Sequence, residues 1–455
     1  MLYDQAQLAL AYIEAAQLTG EPFYAEVAED TLLYVLREMT DAEGGFHSAE
    51  DADSVPPENP DAPGNNVKSV KKEGAYYLWR DAEIDELLGP LGGKAATIVK
   101  LRFGIEPDGN APHDPQQEFT GKNVLYVART IDAIAEQTGE TRDAVVDVLS
   151  RARLAMFEAR LRRPHPHRDD KVLTAWNGLM IAAFARMARV LAGHGPQGRT
   201  TAAPFLEAAT RAASFIRERM WNAESTTLLR RYRDGHAEIA GYAEDYAFLV
   251  FGLLELFQAD PQPAWIEWAI ALQRRQDELF WDDAAGGWFS TDGRDPSVLL
   301  RMKEDYDGAE PTPSSVSVLN LLMLSHLVDD ETWRERIERT LRLFGMRLEK
   351  MGRGVPMMAS ALSTFHAGVQ QIVIASPEDG DPSSELQRVV AQRYMPFAVV
   401  LALDPGRRQA LAEVLPFVAA TAPIDGSSAA YVCRNFSCRQ PVTTAEALQT
   451  ELESA

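Results

Sequence analysis

Between Gly44 and Ser54 the sequence reads GGFHSAEDADS, which brings His47, Glu50, Asp51 and Asp53 within seven residues behind two glycines and an aromatic ring. Carboxylates and an imidazole at that density can bind a metal, move protons, or cap turns. A calcium loop fails on spacing. Counted from Asp51, the position that needs glycine is Pro56 and the twelfth, ligating position is Ala62. His47, Asp51 and Asp53 could share a metal, but nothing nearby supplies the remaining ligands, so no metal is expected. Two uses remain for the stretch: turn and helix capping, or one wall of a polar ligand pocket.

Further carboxylates and aromatic residues occur at comparable places along the chain. Trp176-Asn177, Glu244-Asp245-Tyr246 and the run EDYDGAE from Glu304 to Glu310 each stand at, or just before, the start of an apolar helical segment. If those segments start at one end of the molecule, acids and rings converge there. Flat rings for the apolar faces of pyranoses, with carboxylates for hydroxyls and proton transfer, are what a sugar pocket requires. The candidate acid/base residues are therefore Asp51, Asp53, Asp245 and Asp307. The candidate ligand contacts are His47, Glu50, Trp176, Asn177, Glu244, Tyr246, Asp305 and Glu310. Taken singly, each acid is also what the positive end of a helix dipole attracts.

Other chemical motifs lead nowhere. His165 and His167 in RRPHPHRDDK read as an exposed loop, and GPLGGKAA (Gly89 to Ala96) misses the phosphate-loop spacing and lacks a Ser or Thr after Lys94. Cys433 and Cys438, in a C-x4-C spacing, leave open half a zinc site, a redox pair, or two separate thiols at a strand end. No cofactor motif remains, and no cofactor is expected.

The elements that must position these residues repeat. LYDQAQLALAYIEAAQLTG followed by FYAEVAEDTLLYVLREM reads as two helices in an antiparallel hairpin, each with apolar residues at i, i+3 and i+4. The plan returns in LTAWNGLMIAAFARMARVL with FLEAATRAASFIRERMW, in GYAEDYAFLVFGLLELFQA with AWIEWAIALQRRQDELFW, and in PTPSSVSVLNLLMLSHLV with WRERIERTLRLFGMRL. Asn177, Asp245 and Ser315 mark a period of one hairpin plus a loop. The first helix of each pair is apolar nearly all round and must be packed on most faces, whereas its partner is amphipathic. An inner and an outer ring satisfy both, so the expected fold is mainly α, an (α/α)6 toroid of hairpins. The loops after the outer helices repeat too, with MTDAEGGFHSAEDADS matching FWDDAAGGWFSTDGRD. Short β-excursions are expected at 44–80, 223–240 and 286–303. The Pro- and Asn-rich run from Val55 to Lys72 should be a loop beside the first of them. Near Val369 the pattern changes to short apolar runs (QQIVIAS, FAVVLALD, AAYVC), each followed by a helical run. That alternation predicts a small parallel α/β unit. The expected domains are 1–369 and 370–455.

Composition limits the partners. The 455-residue chain is 46% hydrophobic, enough for a substantial core, and carries a formal charge of −22. That charge opposes binding to nucleic acid or an anionic membrane, and no basic patch offsets it. No basic stretch followed by an apolar run stands at Met1, and the longest apolar stretch, near Tyr394 to Leu403, is only about ten residues, so neither a leader nor a membrane span is expected. With two cysteines, a cytoplasmic protein is expected. The expected partner is a small molecule or oligosaccharide.

The segments MLYDQAQLALAYIEAAQLTG, GGFHSAEDADS with EGAYYLW, KVLTAWNGLMIAAFARMARVL, EDYAFLVFGLLEL, EDYDGAEPTPSSVSVLNLL and YVCRNFSCRQPVT closely resemble the helical and C-terminal portions of thioredoxin-domain proteins of the spermatogenesis-associated type. The resemblance implies an (α/α)6 toroid similar to six-hairpin glycosidases and N-acylglucosamine 2-epimerases. It also implies an N-terminal thioredoxin-like domain that has no counterpart in these residues. Two functions follow as expectations: a carbohydrate-active or carbohydrate-binding toroid, or a non-catalytic body that holds a ligand or partner in a redox or quality-control role. The similar epimerases use histidines deep in the toroid, and His236 and His366 sit in no matching motif, which argues against simple transfer of that mechanism. The ring is expected to be incomplete at its N-terminal side, which would expose the apolar flank of the Leu2 to Leu18 helix and favour a homodimer.

Overall fold

A computed structural model describes residues 1–58, 71–377, 385–434 and 437–453. The chain divides into two compact units, one formed by residues 1–49 and 170–455 and the other by residues 50–169.

The larger unit is a row of helical hairpins. The first is α1 (Leu2–Thr19) with α2 (Pro22–Glu38). The residues of the other unit intervene and contain α3 (Asp81–Leu88), α4 (Ala95–Phe103), α5 (Ile131–Thr138) and α6 (Arg142–Arg160). The hairpins then resume as α7 (Thr174–Ala192) with α8 (Gly195–Arg219), α9 (Ala243–Ala259) with α10 (Pro263–Phe280), and α11 (Pro313–Leu327) with α12 (Glu331–Met351). A further helix, α13 (Pro356–Ala367), follows. Helices α1, α7, α9, α11 and α13 pack side by side in that order as an inner row, and α2, α8, α10 and α12 lie outside their partners. The fold is therefore mainly α and of α/α-toroid class.

Inner and outer helices differ as their sequences require. In α9 every residue from Asp245 to Gln258 is buried except Phe251, whereas α12 buries only Trp333, Ile337, Thr340, Leu341 and Phe344, one stripe at helical spacing. Two glycines set the closest approach in the inner row. A Cβ on Gly178 would lie 2.4 Å from the Phe248 backbone, and one on Gly252 would lie 2.4 Å from the Gly178 carbonyl oxygen. Helices α7 and α9 thus touch backbone to backbone, which any side chain at these positions would prevent.

The repeated loops have the same geometry. After α2, Asp41 N–H donates to the Gly45 carbonyl and Thr40 bridges Phe46; after α10, Asp282 N–H donates to the Gly287 carbonyl and Trp281 bridges Trp288. Between α8 and α9 the chain forms the strands β5 (Trp221–Asn222), β6 (Thr227–Arg233) and β7 (His236–Ala240), each pairing antiparallel with its sequence neighbour, and β6 also pairs with the end of β4 (Arg168–Leu173).

The C-terminal sheet corrects the expectation of a parallel unit. Its strands are β8 (Gln370–Ala375), β9 (Ala398–Leu403), β10 (Ala429–Arg434) and β11 (Ser437–Cys438), in the order β11-β10-β8-β9. Only β8 and β9 run parallel; β10 lies antiparallel to both β8 and β11. Among the described residues the helices α14 (Glu385–Ala391), α15 (Pro405–Leu411) and α16 (Ala445–Glu453) accompany the sheet. The alternation along the strands sends the two faces of the sheet to different cores. Val373, Val399, Leu401 and Leu403 join the core of the helices, while Ile372, Ile374, Ala430 and Val432 pack with Leu386, Val389 and Leu448 on the other face. The register also decides the cysteines: Cys433 stands directly opposite Cys438, and the two form a disulfide of 1.99 Å. They are neither separate thiols nor half a zinc site.

The smaller unit has its own core of Trp79, Ile84, Leu88, Ile98, Val99, Ile134, Val145, Leu149 and Met156 from α3 to α6. The strands β2 (Asp53–Ser54) and β3 (Lys72–Glu73) pair antiparallel within it. Of the Pro- and Asn-rich run, residues 59–70 lie outside the described residues. Arg163 is buried, donates to the carbonyls of Tyr76 and Leu78, and lies 3.9 Å over the Trp79 ring. Among the described residues no helix is long and apolar enough to cross a membrane.

Candidate functional site at the inner-helix starts

The polar residues that recur at the inner-helix starts tie the row together. Asn177, in the first turn of α7, accepts from Phe46 N–H at 2.8 Å and donates to the Phe46 and Leu173 carbonyls. Asp245, in the first turn of α9, accepts from Ala175 N–H at 3.1 Å and from Tyr242 N–H at 2.8 Å, so one carboxylate caps its own helix and holds the start of α7. Ser314 accepts from Trp288 N–H. Asp307 accepts from Thr312 N–H, from Ser315 Oγ and from Met357 N–H, which fixes the starts of α11 and α13 to each other. Gln7 in α1 donates to the Ala309 carbonyl at 2.9 Å.

Next to this scaffold lies a cluster of acids and rings in which Asp245 also takes part. Glu310, just ahead of α11, accepts from Trp176 Nε1 at 3.0 Å, and the Trp176 ring meets Tyr3 edge-on at 4.9 Å. Burial pushes the Glu310 carboxyl up to about 7, against the pull of Trp176 and with help from the negative charge of Glu244. Arg230, from β6, bridges Glu244 at 2.5 Å and Asp245 at 3.0 Å, and its guanidinium lies 4.6 Å from the Tyr242 ring centre. Asp245 is fully buried, and desolvation raises its carboxyl to about 7 although Arg230 and the Tyr242 N–H oppose the rise. Glu304 is also raised, by desolvation and then by Glu244, and accepts from Ser290 Oγ. One locality therefore holds a carboxyl that stays protonated near neutrality, a carboxylate paired to an arginine, and aromatic faces. That is the requirement for acid/base work on a neutral polar ligand.

Beside this cluster runs a cavity of about 540 Å³. Gln7, Asp307, Gly308 and Pro311 line the end next to Glu310, and Leu10, Leu179, Phe251, Leu319 and Met323 line its apolar length. At the far end Arg186 grips Glu255 with two bonds, at 3.0 and 2.7 Å, and also reaches Glu14. Arg189 adds bonds to Glu255 and Gln258. The two arginines hold the buried Glu255 carboxyl below its ordinary range despite desolvation. The volume suits a small organic ligand.

The remaining residues singled out in the sequence are placed as follows. Tyr246 is buried and its hydroxyl accepts from Leu228 N–H; Asp305 is exposed and paired with Arg347. His47 is buried, with Nδ1 3.2 Å from the Asp170 carbonyl. Glu50, Asp51 and Asp53 belong to the smaller unit. There Asp51 accepts from Lys71 and from Asp53 N–H, which hold its carboxyl below the usual range, and Glu50 accepts from Tyr77 Oη. Asp53 sits in β2 opposite Glu73. The structure thus gathers Trp176, Glu244, Asp245 and Glu310, and it spends Asp245, Asp307 and Asn177 on backbone N–H groups. Arg230 and Tyr3 were not singled out in the sequence. Arg230 lies in an unremarkable LLRRYR run, where only pairing with the following helix start marks it. Among the described residues no group of three or more His, Cys, Asp or Glu side chains is placed to hold a metal ion.

Helical hairpins with an apolar inner row and an amphipathic outer row define a protein of the α/α-toroid class, with acids and aromatic residues at the inner-helix starts. No family model matches the chain. It is 37% identical to human spermatogenesis-associated protein 20 and 35% identical to the mouse protein, in each case over 97% of this chain and 56% of the relative. The chain thus spans just over half the length of the curated relatives it matches. Among solved structures it is similar to a sugar epimerase from a ruminal bacterium (TM-score 0.39, 8% identity, 77% of this chain and 60% of that one). It is also similar to a D-mannose isomerase (TM-score 0.34, 12% identity, 75% and 74%).

Proposed function

We propose that the larger unit binds a sugar at the starts of its inner helices, with Glu310 as the proton-carrying group and Glu244 as the anionic partner. The observation that carries this reading is the half-buried Glu310 carboxyl, bonded to Trp176 Nε1 and pushed up to about 7 by burial with Glu244 and Arg230 near it; its neighbours Gly308 and Pro311, rather than Glu310 itself, line the cavity. A protonated acid and a carboxylate close to each other can donate and accept protons on one ligand, as either hydrolysis of a glycosidic bond or epimerisation at a carbon next to a carbonyl requires. Trp176 and Tyr3 supply apolar faces for the ring, and Arg230 pairs with Glu244.

A second reading is a body that holds a ligand without turning it over. The engagement of Asp245 and Asp307 in backbone hydrogen bonds favours it, because these acids have little capacity left for chemistry. Calorimetry with a panel of mono- and disaccharides, together with product analysis, separates the two. Binding that Glu310→Gln weakens at least tenfold supports the site, and turnover lost in the same variant supports catalysis. Binding without turnover assigns the holding role. No binding by the parent chain at any pH from about 5 to 8 overturns the sugar reading.

A further inference from the structure

The segment that follows the second Gly-Gly-aromatic loop reverses the usual distribution of polar and apolar side chains. Leu300, Met302 and Tyr306 are 71%, 59% and 62% exposed, whereas the basic residues between them turn inward. Arg301 donates to the carbonyls of Thr291 and Leu279 and lies 4.2 Å over the Phe289 ring; Lys303 donates to Asp282 and to the Gly286 carbonyl. Arg301 and Lys303 are thus tethered, while Leu299, Leu300, Met302, Glu304, Asp305 and Tyr306 face water. The backbone is held as well, by Ser290 N–H to the Met302 carbonyl and by Asp307 N–H to the Gly354 carbonyl. Four large apolar side chains, Leu299 at 98% exposure among them, are thus presented to solvent on an anchored segment, which costs free energy unless something covers them.

Its position indicates what does. Ala243 N–H, one residue before Glu244, donates to the Ser290 carbonyl; Ser290 N–H reaches Met302; and Ser290 Oγ reaches Glu304, which stands on the same outward row between Met302 and Tyr306. The exposed row is therefore continuous, through one residue, with the acid cluster at the start of α9. We propose that Leu300, Met302 and Tyr306 form an apolar platform for the aglycone of an amphipathic glycoside whose sugar sits at Glu310 and Glu244. This inference rests on the sugar reading above and adds the substrate class: a glycoside with an apolar aglycone rather than a free sugar.

Methyl and n-octyl glycosides of glucose and mannose, titrated below micelle formation, test it, with n-octanol as the control for apolar surface alone. The expected result is octyl-glycoside binding about tenfold or more tighter than methyl-glycoside binding, because burial of even a few methylenes suffices for that ratio. Combined Leu300→Ser, Met302→Ser and Tyr306→Ser substitutions should erase the preference and leave methyl-glycoside binding unchanged. Met302→Ser alone, which keeps the carbonyl that Ser290 uses, should reduce the preference if the triple variant folds poorly. Equal affinity for the methyl and octyl forms overturns the platform while the sugar reading stands. Octanol binding as tight as that of the octyl glycoside also overturns it, as does self-association of the parent that the triple variant loses without any octyl preference. No binding of any glycoside overturns both proposals, a result distinct from the first.

Discussion

Glu310 keeps its proton to about pH 7 because its half-buried carboxyl has one neutral donor, Trp176, and a negative neighbour, Glu244. This has a consequence for stability. Between its ordinary value of 4.5 and about 7, the unfolded chain releases a proton that the folded chain retains, so this group lowers folding stability as pH rises through that window. Glu310→Gln keeps an oxygen for the Trp176 N–H and removes the titration. Its melting temperature relative to the parent should therefore increase from about pH 4.5 to about pH 8, as measured by calorimetric scans. A gap that stays constant over this range would show that Glu310 titrates normally. At this scale the sequence was a partial guide. Glu244 and Glu310 could be chosen because acids and rings precede apolar helices, but the same rule chose Asp245 and Asp307, which hold backbone N–H groups. Residue type and spacing are identical for a cap and for a ligand contact. Only the count of hydrogen bonds already made separates them.

Helix α7 touches α9 through Gly178 and Gly252. A methyl group at Gly178 would be 2.4 Å from backbone atoms of Phe248, which cannot rotate away as a side chain can. Gly178→Ala should therefore cost about 3 kcal/mol, at the upper end of overpacking penalties, despite its higher helix propensity. Urea titration measures it, and a loss below about 1 kcal/mol would mean that the helices can separate at little cost. In the C-terminal sheet the Cys433–Cys438 disulfide closes a loop of sequence separation 5. Loop-closure entropy for a ring that small is about 2 kcal/mol, so Cys438→Ser should destabilise the β10–β11 edge by that amount. Thiol titration of the denatured, unreduced chain should find no free thiol; two free thiols would contradict the pairing. Cysteine spacing alone left three uses open, because the pairing depends on the strand register that places one residue opposite the other.

The molecule as a whole leaves part of α1 uncovered, with Leu8 53% and Leu18 68% exposed. We propose that this flank supports self-association, and sedimentation velocity should show a concentration-dependent dimer that Leu8→Ser with Leu18→Ser removes. A monomer at all concentrations would assign the flank no such role. The hairpin plan itself was legible in the sequence, since an all-round apolar helix followed by an amphipathic one repeats with matching loops, and burial demands act on each helix locally. The separate helical unit at 50–169 was not legible, because it interrupts the repeat without sharing its pattern. Nor was the mixed order of the C-terminal sheet. Apolar runs specify that strands exist, whereas their direction depends on which edge the returning chain finds free. The sequence by itself determined the helices, their inner or outer place, and the turn geometry of the Gly-Gly loops, because these follow from side-chain periodicity and backbone freedom within a few residues. The tertiary structure alone decided which acids are spent and which can titrate, because that depends on donors brought from far along the chain, such as Arg230 to Glu244, Trp176 to Glu310 and Met357 to Asp307.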